Sequence, residues 1–264
     1  MPLADVNGTN IAYSIDGPET GPWMILSNSL AADSFMWTPQ ISFLTQKFRV
    51  LRDDTRGHGD SPPTPGPYTF DLLVGDVIGL MDSLNIEKAV FMGLSLGGMT
   101  ALGLGIHHPE RFERLVCCDA RADAPPAYVD AWGERIQLVR DGSIEAIVEG
   151  TIERWLVESF RQAHPQETEQ IKQMIRRTSE EGWIGCVGAL KTLDYLKHLG
   201  KISLPVLYVG GAEDTGAAPE VMAAMADATP NGSFVEIPDA AHVANFDNAD
   251  GFNRAITDFL GLTA

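Results

Sequence analysis

Lys88–Met99, KAVFMGLSLGGM, decides how this chain is read. An apolar run rich in β-formers (Ala89, Val90, Phe91, Met92) is cut at Gly93, and Ser95 follows two residues later, with Gly97 and Gly98 behind it. This is G-x-S-x-G at a strand-to-helix junction, the pattern of a nucleophile elbow. A serine that attacks a carbonyl must project from a turn sharp enough to strain its backbone. Neighbours with a Cβ would collide there, so glycines flank it. The N–H of Leu96, opening the next helix, then points to where an oxyanion would develop. A glycine-rich β-to-α turn that only packs a helix on a sheet could share the pattern. The strand before it and the apolar helix Thr100 to Ile106 after it favour the chemical reading.

The chain of 264 residues suits one large α/β domain or one domain with an insertion, and at 44% hydrophobic residues it can build a sizeable core. No apolar run approaches the roughly 18 residues of a membrane span. The first ten residues, MPLADVNGTN, are neither basic nor apolar, so no secretory signal is expected. Three cysteines (Cys117, Cys118, Cys186) cannot complete a disulfide framework and read as reduced core residues of a cytosolic protein. A net charge of −17 argues against nucleic acid and anionic membranes as partners. An anionic substrate would need a local cation, although screening beyond roughly 10 Å limits the global repulsion.

Outward from the elbow, the order of elements points to a mostly parallel sheet. Asn7-Gly8 before Thr9–Asp16 predicts an opening antiparallel hairpin. Trp23–Leu26 and Phe48–Asp53 read as strands, with an amphipathic helix near Trp37 to Gln46 between them. Thr69 caps a helix to Leu84 whose apolar residues recur at helical spacing. Leu115–Cys118 is the next strand. From Arg121 to about Gly200 no strand-like run occurs, and four helical patterns follow: Val129–Val139, Ser143–Phe160, Glu167–Arg177 and Trp183–Leu199. We therefore expect a core from residues 1–120 and 201–264, with 121–200 a helical cap inserted after the sixth strand. The core resumes with strands at Pro205–Gly210 and Ser233–Pro238 and helices from about Pro219 to Ala228 and Asp250 to Leu260.

A serine nucleophile needs a base, and the base needs an orienting carboxylate. In such a sheet these arrive in the order Ser, acid, His, each on a loop after a strand, because the carboxyl ends converge on one edge. Asp214 and His242 occupy those loops. Asp119 and Glu213 compete for the acid, and His58 competes for the base, although its turn favours a structural hydrogen bond. A second oxyanion donor is expected from the amide of Leu30, after the strand ending at Leu26. No metal site is evident, since the adjacent His107 and His108 diverge on a helix, and no cofactor is implied.

The chain resembles the α/β-hydrolase family and, within it, bacterial 3-oxoadipate enol-lactonases. The likeness runs nearly end to end: SNSLAADSFMW (27–37), FRVLRDDTRGHGDS (48–61), GLSLGGMTALGLGIHHPERFERLV (93–116), ERW (153–155), GGAEDTGAAPE (210–220) and AAHVANFDNADGF (240–252). SNSL places Asn28 and Ser29 where most relatives carry His-Gly, and Leu30 at the oxyanion position. The resemblance implies a triad of Ser95, Asp214 and His242. It also implies a substrate carboxylate met in the cap by Arg154 or by Arg135 of its W-x-x-R-I stretch, with Trp155 as a pocket wall. The charged segment Asp119–Asp123 departs from the small neutral stretch of that family.

These residues predict a serine hydrolase of a small ester or lactone, foremost an enol-lactone. A general carboxylesterase, with or without perhydrolase activity, would keep the triad and differ in the cap. A slow-turnover ligand receptor on the same fold is the alternative from another class. A dehalogenase is disfavoured, because its nucleophile would be an aspartate at position 95. Subunit number leaves no trace in the sequence.

Overall fold

Strands β1 (Leu3–Val6) and β2 (Thr9–Asp16) form the expected antiparallel pair. Asn7 and Gly8 between them adopt φ of 48° and 75°, the left-handed conformation of a tight hairpin turn. The structure is a computed structural model and describes residues 1–263. After β3 (Trp23–Ser27), a 3₁₀ turn at Ser34–Trp37 leads into α1 (Thr38–Leu44). The helix expected at 37–46 is therefore split in type, with Pro39 in its first turn. β4 (Arg49–Asp53) precedes α2 (Phe70–Ser83), whose N-cap Thr69 accepts from the Leu72 N–H at 3.2 Å.

β5 (Ala89–Leu94) is buried at every residue, as suits a strand covered on both faces. It passes through Ser95 into α3 (Leu96–His107), which Leu96 opens as expected. Gly97 and Gly98 lower the local propensity, but their lack of Cβ is what lets the first turn sit against the sheet. β6 is Phe112–Cys118. Beyond the helices that follow it, β7 (Val206–Gly211) and β8 (Gly232–Ile237) complete a sheet ordered β1-β2-β4-β3-β5-β6-β7-β8, parallel from β4 to β8.

Between β6 and β7 lie α4 (Pro126–Gly142), α5 (Glu145–Trp155), α6 (Glu158–Ala163), α7 (Pro165–Arg176) and α8 (Glu180–Lys191). Two expectations are corrected here. The pattern Ser143–Phe160 is broken at Leu156 and Val157, both extended, into α5 and α6. The pattern Trp183–Leu199 ends at Lys191, after which the N–H groups of Tyr195 and Leu196 both donate to the Ala122 carbonyl. Apolar side chains of these helices, among them Ile147, Ile152, Ile175 and Trp183, join the same buried cluster as the sheet. The chain closes with α9 (Pro219–Ala228), α10 (Ala244–Asp247) and α11 (Ala249–Leu260), the last ending at Gly261 in the left-handed conformation. No helix among the described residues is long and apolar enough to cross a membrane.

Candidate active site

Ser95 sits at φ 55° and ψ −110°, a conformation that costs free energy in a residue with a side chain. The turn is held from both sides. The Ser95 N–H donates to the Cys118 carbonyl at 2.8 Å, and the Gly97 N–H donates to the Asn28 carbonyl at 3.0 Å. A Cβ at Gly93 would stand 2.1 Å from the Gly97 carbonyl oxygen, and one at Gly97 would stand 2.4 Å from that of Ser27. Both glycines are thus required by backbone-to-backbone approach, as the motif suggested.

The Gly97–Asn28 bond also ties the loop after β3 to the start of α3. Asn28 is fully buried, its Nδ2 donating to the Asp53 carbonyl, and Ala31 turns the loop at φ 69°. Leu30 consequently lines the same cavity as Ser95. Leu96 occupies the first position of α3, where an N–H has no partner within the helix.

The His242 Nδ1 lies 2.8 Å from the Asp214 Oδ2, and the other Asp214 oxygen accepts from the Gly216 N–H at 2.7 Å. Burial pushes the Asp214 carboxyl up, but the facing imidazole and the N–H groups of Gly216 and Ala217 outweigh it and hold it below its ordinary value. Glu213, the adjacent competitor, is exposed. Asp119 is fully buried at φ 44°, and its Oδ1 accepts from the Gly211 N–H at 2.8 Å. Burial and the neighbouring Asp214 drive its carboxyl well above the ordinary range, so of the two carboxyls Asp119 is the harder to ionise. His58 is fully buried beside the Arg56 carbonyl at 3.1 Å, and burial lowers it to about 4, which leaves it a neutral structural histidine.

Ser95, Asp214 and His242 all line one cavity of about 310 Å³, a size that suits a small ligand. Arg154, Trp155 and Arg135 line it as well, so the three residues singled out in the sequence do converge on it. Trp155 is buried. Arg154 opens on the cavity, and the surrounding walls still exclude enough water to lower it to about 10, so it carries its charge at neutral pH. Its nearest polar partners are the Gly150 carbonyl and the Thr151 hydroxyl, neither of them an anion. Arg135 stacks on Trp132, with its guanidinium carbon 4.8 Å from the ring centre.

The sequence missed several wall residues. Arg121 lies 5.2 Å from the Tyr128 ring centre and faces the cavity while pairing with Asp123. Tyr128, Trp132 and Trp183 supply aromatic wall. The charged departure at Asp119–Asp123 was a usable signal for Arg121. The aromatic residues gave none, since their spacing on a helix reads equally as packing. No group of three or more His, Cys, Asp or Glu side chains among the described residues is arranged to hold a metal.

A mostly parallel eight-stranded sheet with a strained serine elbow defines a class, and comparison gives it its name. Residues 22–249 match the family model for the α/β hydrolase fold, and the chain belongs to that family. It is similar to 3-oxoadipate enol-lactonase 2 of Acinetobacter baylyi, at 35% identity over 92% of this chain and 90% of that protein. The crystal structure of an enol-lactonase from Burkholderia xenovorans LB400 superposes with a TM-score of 0.94 at 38% identity, covering 98% of this chain and all of the other. A thermophilic esterase from Thermogutta terrifontis, malate bound, superposes at 0.92 with 31% identity, covering 99% and 98%. The protein is a hydrolase.

Proposed function

We propose that this hydrolase opens a small carboxylate-bearing enol-lactone, the substrate its relatives point to being 3-oxoadipate enol-lactone, through an acyl-enzyme on Ser95. The observation that carries this reading is the 2.8 Å pair of His242 and Asp214 on the wall of the cavity that Ser95 also lines. Residues 121–200 act as the cap that closes this cavity, and the enol-lactonase relatives support the choice of substrate.

The Ser95 Oγ attacks the acyl carbon as His242 takes its proton, and Asp214 stabilises the resulting imidazolium. Charge on the former carbonyl oxygen is met by the amides of Leu30 and Leu96. Collapse breaks the ring C–O bond, and the departing enolate oxygen takes the proton from His242. Tautomerisation of the enol to a ketone makes ring opening effectively irreversible. Water then attacks the acyl carbon, giving its proton to His242, which returns it to the Ser95 oxygen as that oxygen leaves. Arg154 holds the free carboxylate because it is the cavity cation whose hydrogen bonds go only to neutral groups. Arg121 is already engaged by Asp123. Arg135 is stacked on the Trp132 ring, and Trp155 packs against the ring of the substrate.

Steady-state turnover of 3-oxoadipate enol-lactone beside that of p-nitrophenyl acetate tests this reading. Ser95→Ala is expected to lower kcat/KM about a thousandfold or more on both substrates without lowering the unfolding midpoint. Arg154→Gln is expected to raise KM for the lactone about tenfold and leave the neutral acetate unchanged. Residual activity within about tenfold of wild type in Ser95→Ala would misassign the nucleophile. A wild-type preference for the acetate would replace the lactonase reading by a general carboxylesterase.

A further inference from the structure

We propose that Asp247 is a positioning residue: from α10 it clamps, through main-chain N–H groups, both the loop that carries His242 and the arm of the cap that carries Arg154 and Trp155. This rests on the function proposed above and assigns a role to a carboxylate that the mechanism does not use. The Asp247 Oδ2 accepts from the Ala241 N–H at 2.7 Å, one residue before the base. Both carboxylate oxygens stand 3.2 Å from the Val157 N–H, two residues beyond Trp155. The two segments also meet directly, the Val243 N–H donating to the Trp155 carbonyl at 3.1 Å. One side chain therefore sets the base and the carboxylate-binding arm relative to each other, across 90 residues of sequence on one side and six on the other.

The clamp needs an acceptor with spare lone pairs on both oxygens, which a carboxylate has and a protonated carboxyl partly loses. Burial raises Asp247 to about 7 against the lowering effect of the Ala241 and Val157 N–H groups. The charged groups around it are Glu213 after β7, which raises it, Arg161 on α6, which lowers it, and Asp119 after β6, a further acidic neighbour. A carboxyl whose folded pKa exceeds its unfolded one favours the folded state at low pH, and that benefit is lost as pH rises through about 7. Above neutrality the ionised clamp therefore opposes stability.

Asp247→Asn keeps the shape and one acceptor but removes the charge. At pH 8 it is expected to lower kcat on p-nitrophenyl acetate about tenfold and to leave the unfolding midpoint at or above wild type. The acid limb of log kcat/KM against pH is expected to be less steep than in wild type by about one proton. Val157→Pro severs only the cap side. Val157 sits at φ −61° after an extended Leu156, a backbone that proline accepts, so the substitution deletes the N–H and little else. It is expected to raise KM for the enol-lactone severalfold while kcat on the neutral acetate stays within about twofold.

An Asp247→Asn enzyme with wild-type kcat and pH slope would overturn the assignment. So would an activity loss matched by a fall in midpoint or in folded fraction. Should wild type hydrolyse neither substrate, the substrate reading fails on its own and amide hydrogen exchange still decides the clamp. Exchange at Ala241 and Val157 is expected to accelerate together in Asp247→Asn, and acceleration at only one of them would refute it.

Discussion

Asp119 and Asp214 crowd the same space behind His242, and two carboxylates that close cannot both ionise cheaply. Asp214 takes the charge because it faces the imidazole and accepts from Gly216, whereas Asp119 has one N–H, from Gly211, and no cation. The outer oxygen of Asp119 is buried without a partner, which a neutral acid bears more easily than an anion. Asp119→Asn, its amide oxygen still accepting from Gly211, should therefore disturb the pair much less than a change at Asp214. Its kcat/KM on p-nitrophenyl acetate is expected within about threefold of wild type. Asp214→Asn should cost on the order of 10³ to 10⁴ in kcat, because an amide donor facing Nδ1 favours the wrong tautomer. Equal losses in the two variants would mean that the acid is shared. At this scale the sequence was legible where chemistry fixes spacing. That Ser95, Asp214 and His242 would meet at one cavity was readable from order alone. Whether Asp119 or Asp214 faces the base depends on a 2.8 Å contact between segments 28 residues apart, which no local pattern encodes.

The helices between β6 and β7 were harder to read than the sheet because distant partners decide where they end. Ser143–Phe160 has helical periodicity throughout, yet Asp247 captures the Val157 N–H and the helix stops at Trp155. The central strands β3, β5 and β7 were the easiest to read because their signal is burial on both faces, carried by each run itself. A similar long-range constraint seats α8 on the core. Gly182 approaches Gly57 so closely that a Cβ on it would stand 2.4 Å from the Gly57 Cα, and Gly57 itself holds φ 78°. The Ser179 N–H donates to the Gly57 carbonyl at 3.0 Å, and the Tyr68 N–H to that of Gly185 at 2.9 Å. Arg177 adds ion pairs to Asp33 at 3.3 Å and Asp60 at 2.9 Å, both partly solvated and worth little beside the packing. Gly182→Ala must push two backbones apart, a cost of about 1–3 kcal/mol by comparison with overpacked cores. Since Trp183 lines the cavity, the same change is expected to raise KM for the lactone. Urea unfolding and steady-state kinetics on one preparation would check both; wild-type values in each would show that the seam yields freely.

Over the whole molecule, a net charge of −17 makes deprotonation progressively unfavourable for the compact state, and several buried carboxyls add to that. Asp53 is raised to about 8 by burial and by the nearby Asp54 and Asp76, and one of its oxygens is buried without a hydrogen bond. Asp33 and Asp76 are also raised, burial again being the leading cause, although Arg56 pairs with Asp76. A carboxyl raised in the folded state stabilises it at pH below the unfolded value, and that contribution disappears as pH climbs through the folded pKa. His58 works in the opposite direction. Burial depresses it to about 4, so it favours the fold above the ordinary imidazole range, and this contribution falls away as pH drops towards 4. Two raised carboxyls outweigh the one lowered imidazole, so the unfolding midpoint is expected to be highest near pH 4 and to decline from there until Asp247 and Asp53 have ionised at about 7 and 8. Asp53→Asn removes the largest of these shifts without touching the cavity, so it should flatten the decline between about pH 4 and 8 and raise the midpoint most near pH 8. Each unit of pKa difference relieved is about 1.4 kcal/mol, or about 3–6 °C in a domain of this size. Calorimetric midpoints between about pH 4 and 9 for both proteins provide the check, and an Asp53→Asn curve parallel to wild type would show that this carboxyl does not govern the decline.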